Sequence, residues 1–257
     1  MQYVDSEFRK DISNQAIADQ VLARIDYGPL AVELNTAVLH QLKLAQPLSS
    51  QMMSAVWAMF EKRDLRICSA HREVNSSNQN YELYKRSIFM REDFMQALEE
   101  NPESEFLLAN YFEPEINFHN DVHRLYCLVQ NSPGNDDYSL VIIDFEKKRF
   151  YSIHPTWEIN ISQQLRDRNI ILENKLNQFL TLNLAFEALR GNQPWPLMNS
   201  FLKMKFPPNQ TDFDSGIYVF LFLYFTVNDC PIIFDSDDVI RIRKVLAYWL
   251  LSEYLPM

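Results

Sequence analysis

A serine whose hydroxyl could act as a nucleophile lies near the end of the chain. Ser215 precedes Gly216 in the stretch FDSGIYV (residues 213–219), and this pair opens a run of bulky apolar residues. A serine becomes nucleophilic when a neighbouring base accepts its proton, so catalysis requires a second side chain close by. A serine at such a point can also cap a buried helix by accepting a hydrogen bond from a backbone N–H. The stretch alone allows both interpretations.

A second candidate for chemistry is the pair His119 and His123, which lie four residues apart with Asp121 between them. On one face of a helix, two imidazoles at this spacing could hold zinc. Neither an HExxH pattern nor a third ligand accompanies them, so a loop or surface pair of histidines is favoured. The four glycines of the chain are also scattered, whereas phosphate-binding loops cluster them. We therefore predict neither a bound metal nor a cofactor.

The composition predicts a soluble, intracellular protein that binds other proteins. Hydrophobic residues make up 47% of the chain, which is enough for a sizeable core. The net charge of −10 argues against nucleic acid or a membrane as partner and favours a basic or polar protein. Three widely spaced cysteines indicate a reducing compartment, cytoplasmic or nuclear. The N-terminus lacks an apolar signal core, and the longest apolar run, residues 216–227, is too short to span a bilayer.

Helices and strands both contribute the elements that must position these side chains, which predicts one α+β domain. Turn signals at residues 131–137 and 145–149 separate three strands of an antiparallel meander. The first 25 residues show a helical apolar spacing. The predicted strands cover residues 65–68, 124–130, 138–144, 150–154 and 204–208.

The predicted helices cover residues 51–62, 91–99, 161–189, 215–228 and 237–254, with Ser236 as the cap of the last one. Asn169 is the one break in the apolar face of the helix 161–189. The run after Ser215 is apolar on all sides, which favours a buried central helix. Its β-branched and aromatic residues favour a strand instead, so this assignment rests on its length and apolar character.

In this order, the elements resemble the ubiquitin-like-protein-specific (SUMO) cysteine proteases. The strand DYSLVIID leads through a charged hairpin to FYSIHP; PPNQTDFDSGIYVFLF then precedes the helix FDSDDVIRIRKVLAYWLL. The resemblance covers roughly residues 45–254. It implies a papain-like core, in which a mixed or antiparallel sheet packs on a buried helix that starts near Ser215, flanked by further helices. It also implies a protease-like domain over residues 46–257 and an N-terminal helical extension over residues 1–45.

The same resemblance assigns roles to individual residues, and the departures from the family pattern fall on the chemistry. Asp144, Asp214, Gly216 and Arg243 fit the family positions. The resemblance places Ser215 where the family has its nucleophilic cysteine. The catalytic histidine and aspartate are replaced by Asp137 and His154. Asn209 or Gln210 takes the place of the oxyanion glutamine, and Tyr138 takes that of the tryptophan that clamps the tail of the modifier.

These replacements predict that the chain has lost catalysis. The family mechanism needs a thiolate formed by a nearby imidazole. A serine has a far higher pKa than a cysteine, and a carboxylate such as Asp137 is a much weaker base than imidazole at neutral pH. We therefore expect a protein with a SUMO-protease-like fold that acts by binding a ubiquitin-like modifier or another protein.

Three alternatives stay open at the level of sequence. The chain could be an active hydrolase in which His154, oriented by Asp137, activates Ser215 as a permuted triad, because triads are defined by geometry rather than chain order. Ser215 could be an engineered replacement of a cysteine, although this would not explain Asp137. Finally, each residue has a plain structural interpretation in an unrelated α+β domain: Ser215 caps a helix, Asp137 belongs to a turn, and His154 ends a strand.

Overall fold

The structure is a computed structural model of the 257-residue chain. The residues that it describes are 6–7, 10, 13, 15–27, 30–43, 46–75, 84–90, 92–102, 105–113, 116–131, 136–155, 163–189, 191, 193–199, 215–234 and 236–252. The predicted strand 204–208 lies outside the described residues, as do Asn209, Gln210 and Asp214.

The chain folds into two compact units, each built from separate stretches of sequence. The first unit comprises residues 1–63, 130–138 and 205–257, and the second comprises residues 64–129 and 139–204. The domain boundary at residue 45 follows from the resemblance and stays a prediction.

Helices and strands are intermixed along the chain. In chain order, the described elements are α1 (Gln15–Ala18), β1 (Val21–Tyr27), β2 (Leu30–Asn35), α2 (Thr36–Lys43), α3 (Ser50–Asn75), β3 (Arg86–Met90), α4 (Glu92–Glu100), α5 (Glu105–Tyr111), α6 (Phe118–Asp121), β4 (Val122–Gln130), β5 (Tyr138–Asp144), β6 (Arg149–Ile153), α7 (Gln163–Leu182), a 3-10 helix (Leu184–Leu189), β7 (Leu197–Asn199), α8 (Ser215–Val227) and α9 (Ser236–Ser252).

A β-hairpin occupies part of the N-terminal region where the apolar spacing predicts a helix. β1 pairs with β2 in an antiparallel two-stranded sheet, with Ile25 opposite Val32. The helical prediction is therefore wrong for residues 21–25, which belong to β1. Gly28-Pro29 is a turn signal between two short β-prone runs. Cross-strand pairing across such a turn outweighs a weak helical spacing.

α8 is the buried helix predicted after Ser215. Its residues from Ser215 to Leu223 are all buried. Within the first unit, the ring of Phe220 lies 5.9 Å from that of Phe60 on α3 and 6.1 Å from that of Trp249 on α9, between centroids. The 13 residues of α8 are apolar on nearly every side, so burial outweighs their preference for a strand. No helix that the structure describes is long and apolar enough to cross a membrane.

A buried arginine fastens α9 to the end of α2. Arg243 is 6% exposed, and its guanidinium donates to the carbonyl oxygens of Gln41 at 3.4 Å and Gln46 at 3.2 Å. Carbonyl groups at the end of a helix lack partners within that helix, so a cation placed there stabilises it. Arg243 therefore links α9 to α2 within the first unit.

Gly216, the second residue of α8, allows a close approach that alanine would prevent. A Cβ at this position would lie 3.0 Å from Leu48 Cβ and 3.1 Å from its Cγ, and Leu48 is fully buried. We expect Gly216→Ala to lower the free energy of unfolding by about 1–3 kcal/mol, because the overpacking outweighs the gain in helix propensity. Urea denaturation followed by circular dichroism measures the loss.

Gly191→Ala is the matched control for this substitution. A Cβ at Gly191 would lie 3.8 Å from its nearest neighbour, Gln193 O, which is an ordinary van der Waals contact. We expect its effect to stay within about 0.5 kcal/mol. Equal losses for the two alanine variants would show that the contact with Leu48 does not decide the stability.

The second unit is built on a mixed five-stranded sheet with the order β3-β4-β5-β6-β7. β3 and β4 are parallel, β5 and β6 are antiparallel, and β6 and β7 are parallel. β4, β5 and β6 are neighbours in chain order, as predicted, and the turn between β5 and β6 is closed by pairing of Asp144 with Arg149. β5 is buried at every position, because it is the central strand.

The core of the second unit lies between this sheet and the helices α4, α5 and α7 together with the 3-10 helix. It is rich in aromatic side chains that meet edge to face or at a tilt. Phe94 lies 5.8 Å from Phe179, and Phe118 lies 4.5 Å from Phe186, between ring centroids. These contacts pack α7 against α4 and the 3-10 helix against α6.

The helix predicted over residues 161–189 is broken at Asn183. α7 ends at Leu182, and a 3-10 helix follows from Leu184. The side-chain amide of Asn183 donates to the carbonyl oxygen of Phe179 at 2.7 Å. Such a local bond competes with the backbone pattern of an α-helix, so the apolar spacing continues while the helix does not.

The predicted strand 65–68 is wrong, because these residues continue α3, which extends to Asn75. The buried carboxylate of Asp64 accepts hydrogen bonds from Ser87 N at 3.0 Å and Tyr84 Oη at 3.1 Å. The thiol of Cys68, one helical turn further on, lies 3.7 Å from the same carboxylate. Contacts made one turn apart stabilise the helix where four residues of alternating polarity indicate a strand.

Candidate functional site

The N-terminus of α8 brings Ser215 to the loop between β4 and β5. The residue is fully buried. Its hydroxyl donates a hydrogen bond to the carbonyl oxygen of Asp136 at 3.2 Å and accepts one from Tyr138 N at 3.2 Å. All three residues belong to the first unit. Backbone groups therefore engage the hydroxyl both as a hydrogen-bond donor and as an acceptor.

These contacts differ from those of the helix cap that the sequence indicates. A capping hydroxyl accepts from an N–H group within the first turn of its own helix. The two hydrogen-bond partners of the Ser215 hydroxyl instead lie 79 and 77 positions earlier in the chain. Ser215 thus fastens α8 to the loop, and no sequence pattern around Ser215 signals such a distant contact.

Asp137, which the resemblance places at the histidine position, closes this loop. Its carboxylate accepts from the side-chain amide of Asn131 at 3.0 Å, and its carbonyl oxygen accepts from Asn131 N at 2.9 Å. Two hydrogen bonds with one residue on the other side of the loop are typical of an aspartate in a turn. A catalytic role for Asp137 stays a prediction, and any such role would compete with these bonds.

Tyr138, which the resemblance places at the tryptophan position, is also engaged inside the first unit. Its side chain is fully buried, and its hydroxyl donates to Asp136 Oδ1 at 3.3 Å. A buried ring offers no exposed surface to a modifier. Binding at Tyr138 stays a prediction, and it requires residues 136–138 to move when the partner arrives.

His154 lies in the second unit, one residue past the end of β6. It lines a cavity of about 10 Å³ together with Ser139, Ser152 and Asn169. This is room for about one water molecule.

Asn169 is 8% exposed and lines the same cavity from α7, beside Ser139, Ser152 and His154, which accounts for the break in the apolar face of the predicted helix. The two hydrogen bonds of the Ser215 hydroxyl are made with backbone atoms, so they give the permuted triad no support.

The histidine pair is divided between two elements. His119 lies in α6, whereas His123 lies in β4, so they do not share the face of one helix. His123 Nε2 lies 3.2 Å from Glu146 Oε2, and the carbonyl oxygen of His119 accepts from Lys85 Nζ at 3.1 Å. Among the residues that the structure describes, no three His, Cys, Asp or Glu side chains are grouped to hold a metal ion.

None of the three cysteines lies at the N-terminus of α8, where Ser215 stands. Cys127 is fully buried in β4, and loss of hydration raises the pKa of its thiol far above the ordinary range. It therefore stays protonated at neutral pH and unreactive. Cys68 is also buried, and the exposed Cys230 contacts the carbonyl oxygen of Asn228 at 3.4 Å.

The two hydrogen bonds of Ser215 predict a measurable loss of stability on truncation. Ser215→Ala would leave Asp136 O and Tyr138 N without these partners in a buried place. We expect the free energy of unfolding to fall by about 1–3 kcal/mol. Ser69→Ala is the control, because Ser69 is exposed on α3 and its hydroxyl donates only to Leu65 O; we expect a change within about 0.5 kcal/mol. A neutral Ser215→Ala variant in urea denaturation would contradict the fastening role.

The sheet, the aromatic core and the buried helix headed by Ser215 define a class of protein: an α+β fold with the papain-like core of a cysteine protease. More particularly, it is the fold of the SUMO proteases. The protease domain of yeast Ulp1, solved in complex with Smt3, the yeast ortholog of SUMO, matches with a TM-score of 0.64 and 13% identity. The match covers 98% of this chain and 93% of that one.

Two further solved structures give the same result. The catalytic domain of a Ulp1-like SUMO protease from Chaetomium thermophilum matches with a TM-score of 0.68 and 12% identity, over 100% of this chain and 89% of that one. A de-sumoylating protease matches with a TM-score of 0.55 and 11% identity, over 90% of each chain. No family model and no curated protein matches the sequence. The fold is thus shared at a sequence identity of only 11–13%.

Proposed function

We propose that the protein is a catalytically inactive relative of the SUMO proteases that acts by binding a ubiquitin-like modifier or another protein. The observation that carries this proposal is the environment of Ser215. The residue at the head of the buried helix is a serine, it is inaccessible to solvent, and its hydroxyl bonds to backbone atoms of residues 136 and 138. A nucleophile needs a base at hydrogen-bond distance, and among the described residues both hydrogen bonds of this hydroxyl are made with backbone atoms rather than with a base.

The position of Asp137 supports the same conclusion. Its carboxylate is bonded to Asn131 within the loop. General-base catalysis at neutral pH depends on a group that accepts a proton readily, which imidazole does and an ordinary carboxylate does not. No observation favours an active hydrolase over this proposal.

A modifier is the first partner to test because the yeast Ulp1 domain with this fold was solved bound to Smt3. We expect purified SUMO to bind the full chain with a saturable 1:1 isotherm in titration calorimetry, and to remain uncut when the mixture is examined by mass spectrometry. Ubiquitin and a SUMO lacking its C-terminal glycine tail are titrated in parallel, to separate recognition of the folded modifier from recognition of its tail.

Two results would overturn the proposal. Labelling of Ser215 by a fluorophosphonate, or cleavage of a SUMO precursor, would establish a working hydrolase. The absence of saturable binding to every ubiquitin-like protein, combined with the absence of a stable protein partner in pull-downs, would remove the binding role.

A further inference from the structure

We propose that a cavity in the second unit is a docking site for an uncharged, apolar side chain of a partner peptide. The cavity has a volume of about 250 Å³. Its floor consists of the buried residues Leu180, Phe186, Leu189 and Trp195, and its rim includes the exposed residues Thr181 and Gln193. This inference does not depend on the proposed function.

The chemistry of the lining selects the occupant. None of the described residues around the cavity is ionisable, although the whole chain carries a net charge of −10. Against these described residues a charged group would lose its hydration without gaining an ionic partner, whereas an apolar group would gain by leaving water. The hydroxyl of Thr181 and the amide of Gln193 stand at the rim, where they can bond to the backbone of a bound peptide.

The size of the cavity and the surface beside it favour a peptide over a small molecule. A volume of about 250 Å³ accommodates one large side chain, and it is below the roughly 300–1,000 Å³ of ordinary small-molecule pockets. In the sequence, Leu182 and Leu184 come between the lining residues Thr181 and Phe186, and they are 48% and 78% exposed. Residues of a peptide next to the anchoring side chain would cover these leucines, which a single small molecule would not.

The cavity wall is held in place before any partner binds. The side chain of Asn177, on α7, accepts from Trp195 N at 2.8 Å and donates to Trp195 O at 3.0 Å. One residue further on, the carbonyl oxygen of Pro196 accepts from Phe150 N of the sheet at 3.0 Å. A site already ordered in the free protein loses less conformational freedom when it binds.

The first test uses the full chain labelled with ¹³C at leucine methyl groups. We expect N-acetyl-tryptophanamide to shift the methyl signals of Leu180 and Leu189 in a saturable way, and N-acetyl-lysinamide to leave them unchanged. Thr181→Trp places a ring at the rim and should weaken binding by about tenfold or more. Gln178→Trp is the matched control, because Gln178 is exposed on the same helix and does not line the cavity; binding should stay within about twofold of the parent.

A second test distinguishes a peptide from a lone small molecule. N-acetyl-Leu-Trp-Leu-amide should bind at least about threefold more tightly than N-acetyl-tryptophanamide, and Leu184→Ser should remove this gain. The proposal is overturned by non-saturable shifts, by equal binding to the parent and to Thr181→Trp, or by a tripeptide that binds no better than the single residue. Methyl shifts that depend on protein concentration without a probe would identify a second copy of the chain as the occupant, and would overturn it as well.

Discussion

Arg124→Met is expected to lower the free energy of unfolding by about 3 kcal/mol, because it removes the buried cation from a buried carboxylate. The half-exposed ammonium of Lys147, 3.9 Å from Asp144 Oδ2, compensates for it only in part. Arg124 Nε lies 3.1 Å from Asp144 Oδ2 on the neighbouring strand, and the two side chains are 8% and 1% exposed. Asp144 also accepts a hydrogen bond from Lys147 N at 2.8 Å, which closes the turn after β5. The buried carboxylate of Asp144 therefore has two structural roles: it pairs with Arg124 and it closes the turn through Lys147 N.

A double-mutant cycle separates the cost of leaving one charge unpaired from the net stabilisation that the ion pair provides. Replacing both charged residues, as Arg124→Met with Asp144→Leu, should restore part of the loss, since no unpaired charge then stays buried. Recovery should be incomplete because the bond from Lys147 N is lost, at about 1 kcal/mol.

An exposed ion pair supplies the control for the same substitution. Arg24 and Glu33 lie 3.7 Å apart on the β1–β2 hairpin, with both side chains more than half exposed. Arg24→Met should cost under about 1 kcal/mol after screening by solvent. If urea denaturation gave the same loss for Arg24→Met and Arg124→Met, burial would not be the source of the effect.

The elements that could be predicted from the sequence are those whose signal is local. β5 is a seven-residue apolar strand between two turn signals, and α8 is apolar over 13 residues. Both patterns follow from the burial of the element on all sides, so they are visible without knowledge of the neighbours. Their order in the chain then carried the resemblance to the SUMO proteases, which the shared fold confirms.

The elements that could not be predicted depend on contacts between distant residues or on single side chains. The hairpin β1–β2 is stabilised by pairing across its turn, and the end of α7 by the amide of Asn183. The extension of α3 is accompanied by bonds to Asp64 from Tyr84 and Ser87, 20 and 23 positions away. None of these leaves a periodic trace in the sequence.

At the candidate site, too, the sequence does not reveal contacts between distant residues. The sequence identifies Ser215 as the residue at the head of the buried helix, because a serine and a glycine precede an apolar run. It does not show that the hydroxyl bonds to the backbone of the loop, since those partners lie 77 and 79 positions earlier. The hydrogen bonds of Ser215 are made with that loop, and only the fold brings the two together.

A cysteine at position 215 is expected not to restore the activity of a SUMO protease. In Ser215→Cys the thiol would stand at the N-terminus of α8, where the helix dipole favours a thiolate. It would remain buried against residues 136 and 138, and Asp137 would still be bonded to Asn131. General-base catalysis typically contributes about 10²–10⁴-fold. We therefore expect SUMO vinyl sulfone to react at least about 10²-fold more slowly than with the yeast Ulp1 domain, as measured by intact mass spectrometry.

The background for this experiment is Cys230→Ser, because Cys230 is the one exposed thiol among the described cysteines and would react on its own. Adding Asp137→His to Ser215→Cys should raise the labelling rate by about tenfold or more, because position 137 would then supply the missing imidazole. Asp136→His in the same background is the matched control, and it should give no increase, since the Asp136 side chain faces the hydroxyl of Tyr138. Rapid labelling of Ser215→Cys alone would show that the site retains its catalytic machinery, and equal gains from both histidines would show that position 137 is not the place of the base.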